Sequence, residues 1–364
     1  MRTGAYARAP PKFAVRLPAP RLGLALPTVW LSIRGQVEPP DRRGDLREPL
    51  ITQLVRRRLT PSGATLHSMH GHQVIKFQPV RERTHGAPRT AFVLSGGASL
   101  GAMQAGMLRA LYERGITADM FIATSAGGLN AAFAASRPQT AQTANELADV
   151  WRELRREDVF PVHMPTIFGA ITNRWDHFVP SKPLRRLAAT HLRIPRLEDA
   201  AVPLHLVAFD LLTGNEIRLS HGPALDAVLA AAAIPGVLPP VPWGDHLLVD
   251  GGVVNNTPIS HAIELGAERI FVLPAGDPDE RGLATRPRGP LDAAVHACRV
   301  MVGARLQADL VSYANDAELI VLRAANRPRV QPNDFDQAEL LIAEGLRGAR
   351  RQLDSLGSRA AIAA

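Results

Sequence analysis

The sequence predicts an α/β fold built on a mainly parallel sheet, and three observations carry that expectation. Short, almost wholly apolar runs of strand length recur at Ala91–Leu94, Met120–Ile122, Val202–Phe209 and Arg269–Leu273, as strands buried on both faces should read. Segments with apolar residues at helical spacing separate them. Glycine-rich turns stand where the first strands end, which is where parallel sheets present ligand-binding and reactive groups.

From Thr90 onward the elements follow in order. Ala91–Leu94 is a strand, and Gly101–Glu113 carries Met103, Met107, Leu108 and Leu111 at helical spacing and is closed by Gly115, a C-terminal glycine. Met120–Ile122 is the second strand and Gly128–Ala135 a helix of small residues, completing a βαβα unit. Asn145–Arg156 reads as an amphipathic helix. Val159–Pro203 is broken by prolines and mixes apolar with basic residues, an irregular insertion of the kind that shapes a substrate entrance. Val202–Phe209 and Glu216–Leu219 form a hairpin about Thr213-Gly214-Asn215, and Leu225–Ala233 is an alanine-rich helix halted by Pro235-Gly236. A second hairpin pairs Val241–Trp243 with His246–Val249 across Gly244-Asp245, a two-residue turn. Arg269–Leu273 is a buried strand, followed by a helix (Leu291–Leu310), a strand (Glu318–Leu322) and a final helix (Asp336–Leu353).

Charge divides the chain unevenly. The formal net charge of +8 over 364 residues resolves into 16 Lys+Arg against 5 Asp+Glu in residues 1–90 and 26 against 29 thereafter. All the excess basicity therefore lies in residues 1–87, whose proline pairs, arginine runs and lack of period predict a disordered tail. A folded part with slightly acidic balance argues against nucleic acid as a partner. The tail suits contact with anionic lipid headgroups. His67, His70 and His72 lie together in it without the further ligands a metal site needs. The apolar run Leu22–Ile33 mimics a signal peptide but is interrupted by Pro27 and lacks a cleavage site. With a single cysteine, Cys298, expected as a small core residue, and no apolar segment of membrane-spanning length, the sequence predicts a cytoplasmic protein with at most peripheral membrane contact.

The chemistry concentrates at three places. Ala123-Thr124-Ser125-Ala126-Gly127 sets a serine between a strand and a helix, with small residues two before and two after it, as a strand-to-helix elbow requires. A helix N-cap serine would satisfy the same five residues. Ser95-Gly96-Gly97-Ala98 precedes that elbow by one helix and one strand, so both turns lie at one sheet edge. The N–H groups of Gly96, Gly97 and Ala98 are candidates for an oxyanion hole, helped by the positive end of the following helix. Gly101 supports the turn. A dinucleotide fingerprint would need glycine at Ala98. Asp250, led into by Leu247-Leu248-Val249 and followed by Gly251 and Gly252, is a candidate base whose apolar surroundings would raise its pKa, although aspartate is also common in β-turns.

Ser95–Gly106, Ala123–Asn130 and Ala231-Ala232-Ala233-Ile234-Pro235-Gly236 through Asp250-Gly251-Gly252 and Asn255-Asn256-Thr257-Pro258-Ile259 together resemble the patatin-like phospholipase family, over roughly 90–273. The resemblance implies a three-layer α/β/α catalytic core at 88–275, completed by helices and a strand at 276–356. It implies a Ser125–Asp250 dyad in place of a triad, and the glycine-rich turn as oxyanion hole. It further implies hydrolysis of fatty acyl esters of phospholipids or related lipids, without metal or organic cofactor. The chain departs from the family pattern in having Ala123 where the elbow usually opens with glycine, and Ala98 and Leu100 where a third glycine and a basic residue are usual. Two other readings stand beside it: a Ser-His-Asp esterase in which His261 or His296 completes a triad, and a catalytically silent lipid-binding protein that kept the pocket.

Overall fold

The computed structural model describes residues 88–363 apart from 173, 280, 281, 283–285, 288 and 327. The basic tail, the run 22–33 and the histidines at 67, 70 and 72 lie outside the described residues. Strands β1 (Thr90–Leu94), β2 (Met120–Thr124), β3 (Leu204–Asp210), β4 (Glu216–Leu219), β5 (Val241–Trp243), β6 (His246–Asp250), β7 (Arg269–Leu273) and β8 (Glu318–Val321) form one sheet. Its order is β5-β6-β3-β2-β1-β7-β8, with β4 paired to β3 off this path. The run from β3 to β8 is parallel throughout, whereas β4, β5 and β6 pair antiparallel.

Alternation along the strands sorts side chains into two layers, because successive Cβ atoms point to opposite faces. Phe92, Leu94, Phe121 and Ala123 belong to the larger core, under helices α1 (Ala102–Tyr112), α2 (Ala126–Ala135) and α3 (Ala141–Glu153) and the long C-terminal helix. Ala91, Val93, Met120 and Ile122 face the other side. In the larger core a row of register-matched rings crosses three strands: Phe92 meets Phe121 and Phe271 edge-on, each at 5.7 Å, the arrangement aromatic quadrupoles favour. The architecture is α/β/α with a mainly parallel sheet, as the sequence predicts.

The insertion departs from its reading as irregular chain. It contains the short helix α4 (Arg156–Val159), α5 (Met164–Ile171) and α6 (Lys182–His191); Pro165 and Pro183 sit in the first turns of α5 and α6, where proline starts a helix and does not break one. Helix α3 begins four residues earlier than the apolar spacing suggests, since Thr140 caps it by accepting from the Thr143 N–H at 3.3 Å. The remaining helices are α7 (Ala224–Ala232), α8 (Gly252–Asn255), α9 (Ile259–Glu264), α10 (Pro290–Ser312) and α11 (Ala338–Ala363). On α10, Cys298 is exposed and not in the core, because that helix turns Leu306 inward on another face. Among the described residues no helix is long and apolar enough to cross a membrane.

Candidate active site

The sheet register brings the elbow and the distant aspartate to one level. Thr124 pairs with Val207 on β3, and the next β3 residue, Ala208, pairs with Asp250 on its other side. Ser125 and Asp250 therefore flank β3 in the same row, two strand spacings apart, about 10 Å of backbone separation. The loop after Asp250 closes that gap. Gly251 folds so tightly over β3 that a Cβ would stand 2.5 Å from the Val207 carbonyl oxygen, leaving room only for glycine.

Ser125 adopts φ 55 and ψ −130, a strained backbone for any residue with a side chain. This geometry separates an elbow from an ordinary N-cap, and Ser125 makes no side-chain cap bond to α2. Two residues on, a Cβ at Gly127 would lie 2.5 Å from the Leu94 carbonyl oxygen, so the elbow seats directly against the end of β1. Ala123 is buried in β2 and keeps an ordinary negative φ, and its methyl group is accommodated. The Ser125 and Asp250 amides donate to the carbonyl oxygens of Ala231 and Ala233, each at 2.9 Å. The end of α7 thus anchors both main chains.

The two side chains meet. The Ser125 hydroxyl lies near enough to the Asp250 carboxylate to favour its charged form, and Asp250 Oδ1 accepts the Gly252 N–H at 2.8 Å. Both residues are nearly buried, at 8% and 5% exposure. Burial pushes the Asp250 carboxyl up to about 6, against the lowering effect of the Ser125 hydroxyl and the Gly252 N–H, because a charged carboxylate loses its water there. A carboxylate with a pKa just below neutrality is still ionised at pH 7, yet is far more basic than a free one.

The glycine-rich turn lies across the serine. A Cβ on Gly96 would fall 2.7 Å from that of Ser125. The N–H of Gly96 is engaged, donating to the Asn256 carbonyl oxygen at 3.2 Å, which corrects the expectation that it would join Gly97 and Ala98 as an oxyanion donor. Those two N–H groups have no hydrogen-bond partner among the described residues. Ala98 has φ 50, the left-handed region that makes glycine usual at this position. Leu100 is buried in the larger core, and Gly101 sits against Trp151 and Ala126, where a Cβ would approach to 3.0 and 3.1 Å.

Several residues that organise the site were not singled out from the sequence. Asn256 wedges between the turn and the aspartate loop: its Nδ2 donates to the Gly96 carbonyl at 3.2 Å, and its Oδ1 occupies the space beside Gly96 and Gly252. Beneath the turn, buried Gln104 donates to the carbonyl oxygens of Ser95 at 2.9 Å and Leu273 at 2.8 Å and accepts from Asn130 Nδ2 at 2.8 Å. Asn130 in turn accepts from the Trp151 indole at 2.9 Å. The available signal is a lone amide on the apolar side of each of two helices, because a buried polar group has to find partners. His261 pairs instead with Glu216 at 2.6 Å and Glu264 at 3.1 Å, and no histidine among the described residues hydrogen-bonds Ser125 or Asp250.

Ser125 opens into an apolar cavity of about 850 Å³, mouth included. Its walls come from α2, α3, α6 and α7, with Leu129, Phe133, Trp151, Leu184 and Leu187 prominent and Phe335 closing one side. It has the length of lining and the near absence of charge that a hydrocarbon chain requires. Residues 159–192 of the insertion supply much of the wall.

Residues 92–263 match the family model described as patatin-like phospholipase. The chain is 31% identical over 204 residues to patatin-like phospholipase domain-containing protein 6 of Mus musculus, covering 54% of this chain and 14% of that protein. It is 27% identical over 253 residues to lysophospholipase NTE1 of Mycosarcoma maydis, covering 67% and 12%. The chain thus spans a small fraction of the length of these relatives. Among solved structures, VipD from Legionella pneumophila superposes with a TM-score of 0.42 at 16% identity, covering 74% of this chain and 67% of that one. The matched stretch 92–263 contains Ser125, Asp250 and the glycine-rich turn, and over those residues the chain is similar to the patatin-like phospholipase family.

Proposed function

We propose that the protein is a serine acyl hydrolase that cleaves fatty acyl esters of phospholipids or related lipids through a Ser125–Asp250 dyad. The observation that carries this reading is a serine at φ 55 whose hydroxyl meets a buried carboxylate raised to about 6. The catalytic core is taken as 88–275, completed by 276–356.

In the first half-reaction Ser125 Oγ attacks the acyl carbonyl while its proton passes to Asp250. The tetrahedral oxyanion accepts hydrogen bonds from the Gly97 and Ala98 N–H groups, at the start of the 3₁₀ turn Ala98–Gly101. Each such donor is worth around 3 kcal/mol in the transition state. Collapse breaks the ester C–O bond, and Asp250 returns the proton to the departing alcohol. In the second half-reaction a water molecule gives its proton to Asp250 and attacks the acyl-serine. The fatty acid then leaves, and the hydroxyl of Ser125 is restored. The apolar cavity supports an acyl chain as the group held during both steps.

Hydrolysis of short and long acyl p-nitrophenyl esters by wild type, Ser125→Ala and Asp250→Asn tests the proposal. Both substitutions should lower turnover at least a thousandfold with unchanged circular dichroism. Covalent capture of wild type by a fluorophosphonate, absent from Ser125→Ala, separates an activated serine from a silent pocket. Failure to label wild type would sink the proposal.

A further inference from the structure

The insertion carries an apolar surface that neither the cavity nor the core uses. Between α4 and α6, Val162, Met164, Phe168, Ile171, Trp175 and Phe178 are all exposed, Met164 by 68%, Phe168 by 64%, Ile171 by 69% and Trp175 by 56%. Helix α5 has no charged residue from Met164 to Ile171, although Gly169 is buried. The protrusion has a defined shape. Trp175 lies against Gly169, whose carbonyl oxygen accepts the Arg174 and Trp175 N–H groups at 2.8 and 3.2 Å. An uncharged helix that turns Met164, Phe168 and Ile171 outward costs free energy in water and marks a surface meant to be covered.

Two features say what covers it. The first is continuity with the acyl cavity. Val159 and Phe160, at the start of the segment, line that cavity. At its far end the Phe178 and Val179 amides donate to the carbonyl oxygens of Gly236 and Val237 at 3.0 and 2.8 Å, between the cavity residues Ile234 and Leu238. The apolar surface is therefore tied at both ends to the rim through which an acyl chain must pass. The second is charge. Residues 160–193 hold five basic side chains (Arg174, Lys182, Arg185, Arg186, Arg193), all exposed, and one acidic, Asp176. The rest of 91–364 holds 21 Lys+Arg against 28 Asp+Glu. Residues 160–193, which bear the apolar surface, thus carry a formal +4 on a body that is otherwise −7, with Arg185 paired to Asp226 at 2.6 Å.

Resting on the hydrolase reading above, we infer that this face docks on the surface of an anionic phospholipid bilayer, with α5 and Trp175 entering the headgroup boundary and the basic residues meeting lipid phosphates. Short amphipathic elements with aromatic and aliphatic tips and a basic flank bind bilayers in this way, and each basic residue near an anionic surface contributes. A second copy of the chain is disfavoured as the occupant, because a two-fold contact would set one +4 face against another. Docking here would place the cavity mouth on the bilayer, so that a lipid could enter without crossing water.

The test uses the full chain with vesicles of phosphatidylcholine, with and without phosphatidylglycerol. Wild type should float with the anionic vesicles, and its tryptophan emission should shift to the blue, a shift that Trp175→Phe removes. Phe168→Asp with Ile171→Asp should weaken vesicle affinity by at least about tenfold, and Arg174→Glu with Arg186→Glu should reduce the preference for anionic vesicles without erasing it, since residues 1–87 carry basic charge of their own. Both pairs should hydrolyse a soluble short-chain p-nitrophenyl ester at the wild-type rate, since none of the four residues lines the cavity. Unchanged vesicle binding by the Asp pair overturns the inference, and so does a change in oligomeric state in its place. Loss of soluble ester hydrolysis from wild type would strike at the hydrolase reading alone, leaving the vesicle measurement to decide docking independently.

Discussion

Asp250 is held where its charge is least welcome. Its carboxyl titrates ordinarily at 3.8 and in the fold at about 6, so between those values the folded chain holds a proton the unfolded chain has lost. Stability contributed by this group therefore falls as pH rises from about 4 to about 6, and at neutral pH the burial costs about 3 kcal/mol. Asp250→Asn should recover roughly 1–3 kcal/mol at pH 7 in urea unfolding while abolishing turnover. The gain should vanish below about pH 3, where wild type is protonated in both states. Turnover by wild type should decline as pH drops below about 6, because a protonated carboxyl cannot take the serine proton. The strained φ values of Ser125 and Ala98 belong to the same logic of local cost at a site that needs it.

At the scale of elements, the site is held by helix ends and buried amides. The carbonyl oxygens at the end of α7 fix the main chains of Ser125 and Asp250, and the chain from Trp151 through Asn130 to Gln104 supports the turn after β1. Gln104→Met would leave the Ser95 carbonyl and the Asn130 amide without this partner. It should cost about 2–3 kcal/mol in denaturant unfolding and reduce turnover as well, whereas a purely structural amide would affect only the first. His261 joins α9 to β4. Burial pushes its pKa down, but Glu216 and Glu264 outweigh that effect and the net shift is upward. Its contribution is fully present below 6.5, the ordinary value, and is lost as pH rises through the folded pKa. His261→Ala should therefore destabilise more at pH 6 than at pH 9 while sparing turnover, and collapse of turnover would instead favour a triad.

Across the whole molecule, the C-terminal region reaches back to the site. Helix α11 packs on α1 so closely that a Cβ on Gly345 would be 2.2 Å from the Met103 carbonyl oxygen, and one on Gly106 would be 2.1 Å from that of Ile342. The glycine-rich turn is tied to the segment before α11, with the Ser99 N–H donating to Pro332 at 3.0 Å and its hydroxyl to Gln331 at 3.1 Å. Gly345→Val should destabilise by more than about 3 kcal/mol, because backbone and not a flexible side chain blocks the added atoms. Removal of α11 should strip the core and leave the chain unable to fold cooperatively, measured as loss of a thermal transition.

Much of this was legible before any coordinates. The strand runs, the elbow, the glycine turn and the apolar approach to Asp250 declare themselves locally, through periodicity and through residues small enough for tight turns. Gly127 and Gly251 carry that signal because backbone crowds them. Other features were hidden because they depend on what packs where. The helices of the insertion were masked by their prolines, Asn256 became a wedge only when two loops converged, and the side of α10 that bears Cys298 turned outward for lack of a partner. The sequence by itself determined the kinds of chemistry and the α/β frame, since these rest on residue type and short-range spacing. Only the tertiary structure decided that a hydroxyl and a carboxyl group 125 positions apart share one row of a sheet. It alone also decided which apolar surfaces stayed uncovered, because register and burial are properties of the assembled sheet and helices.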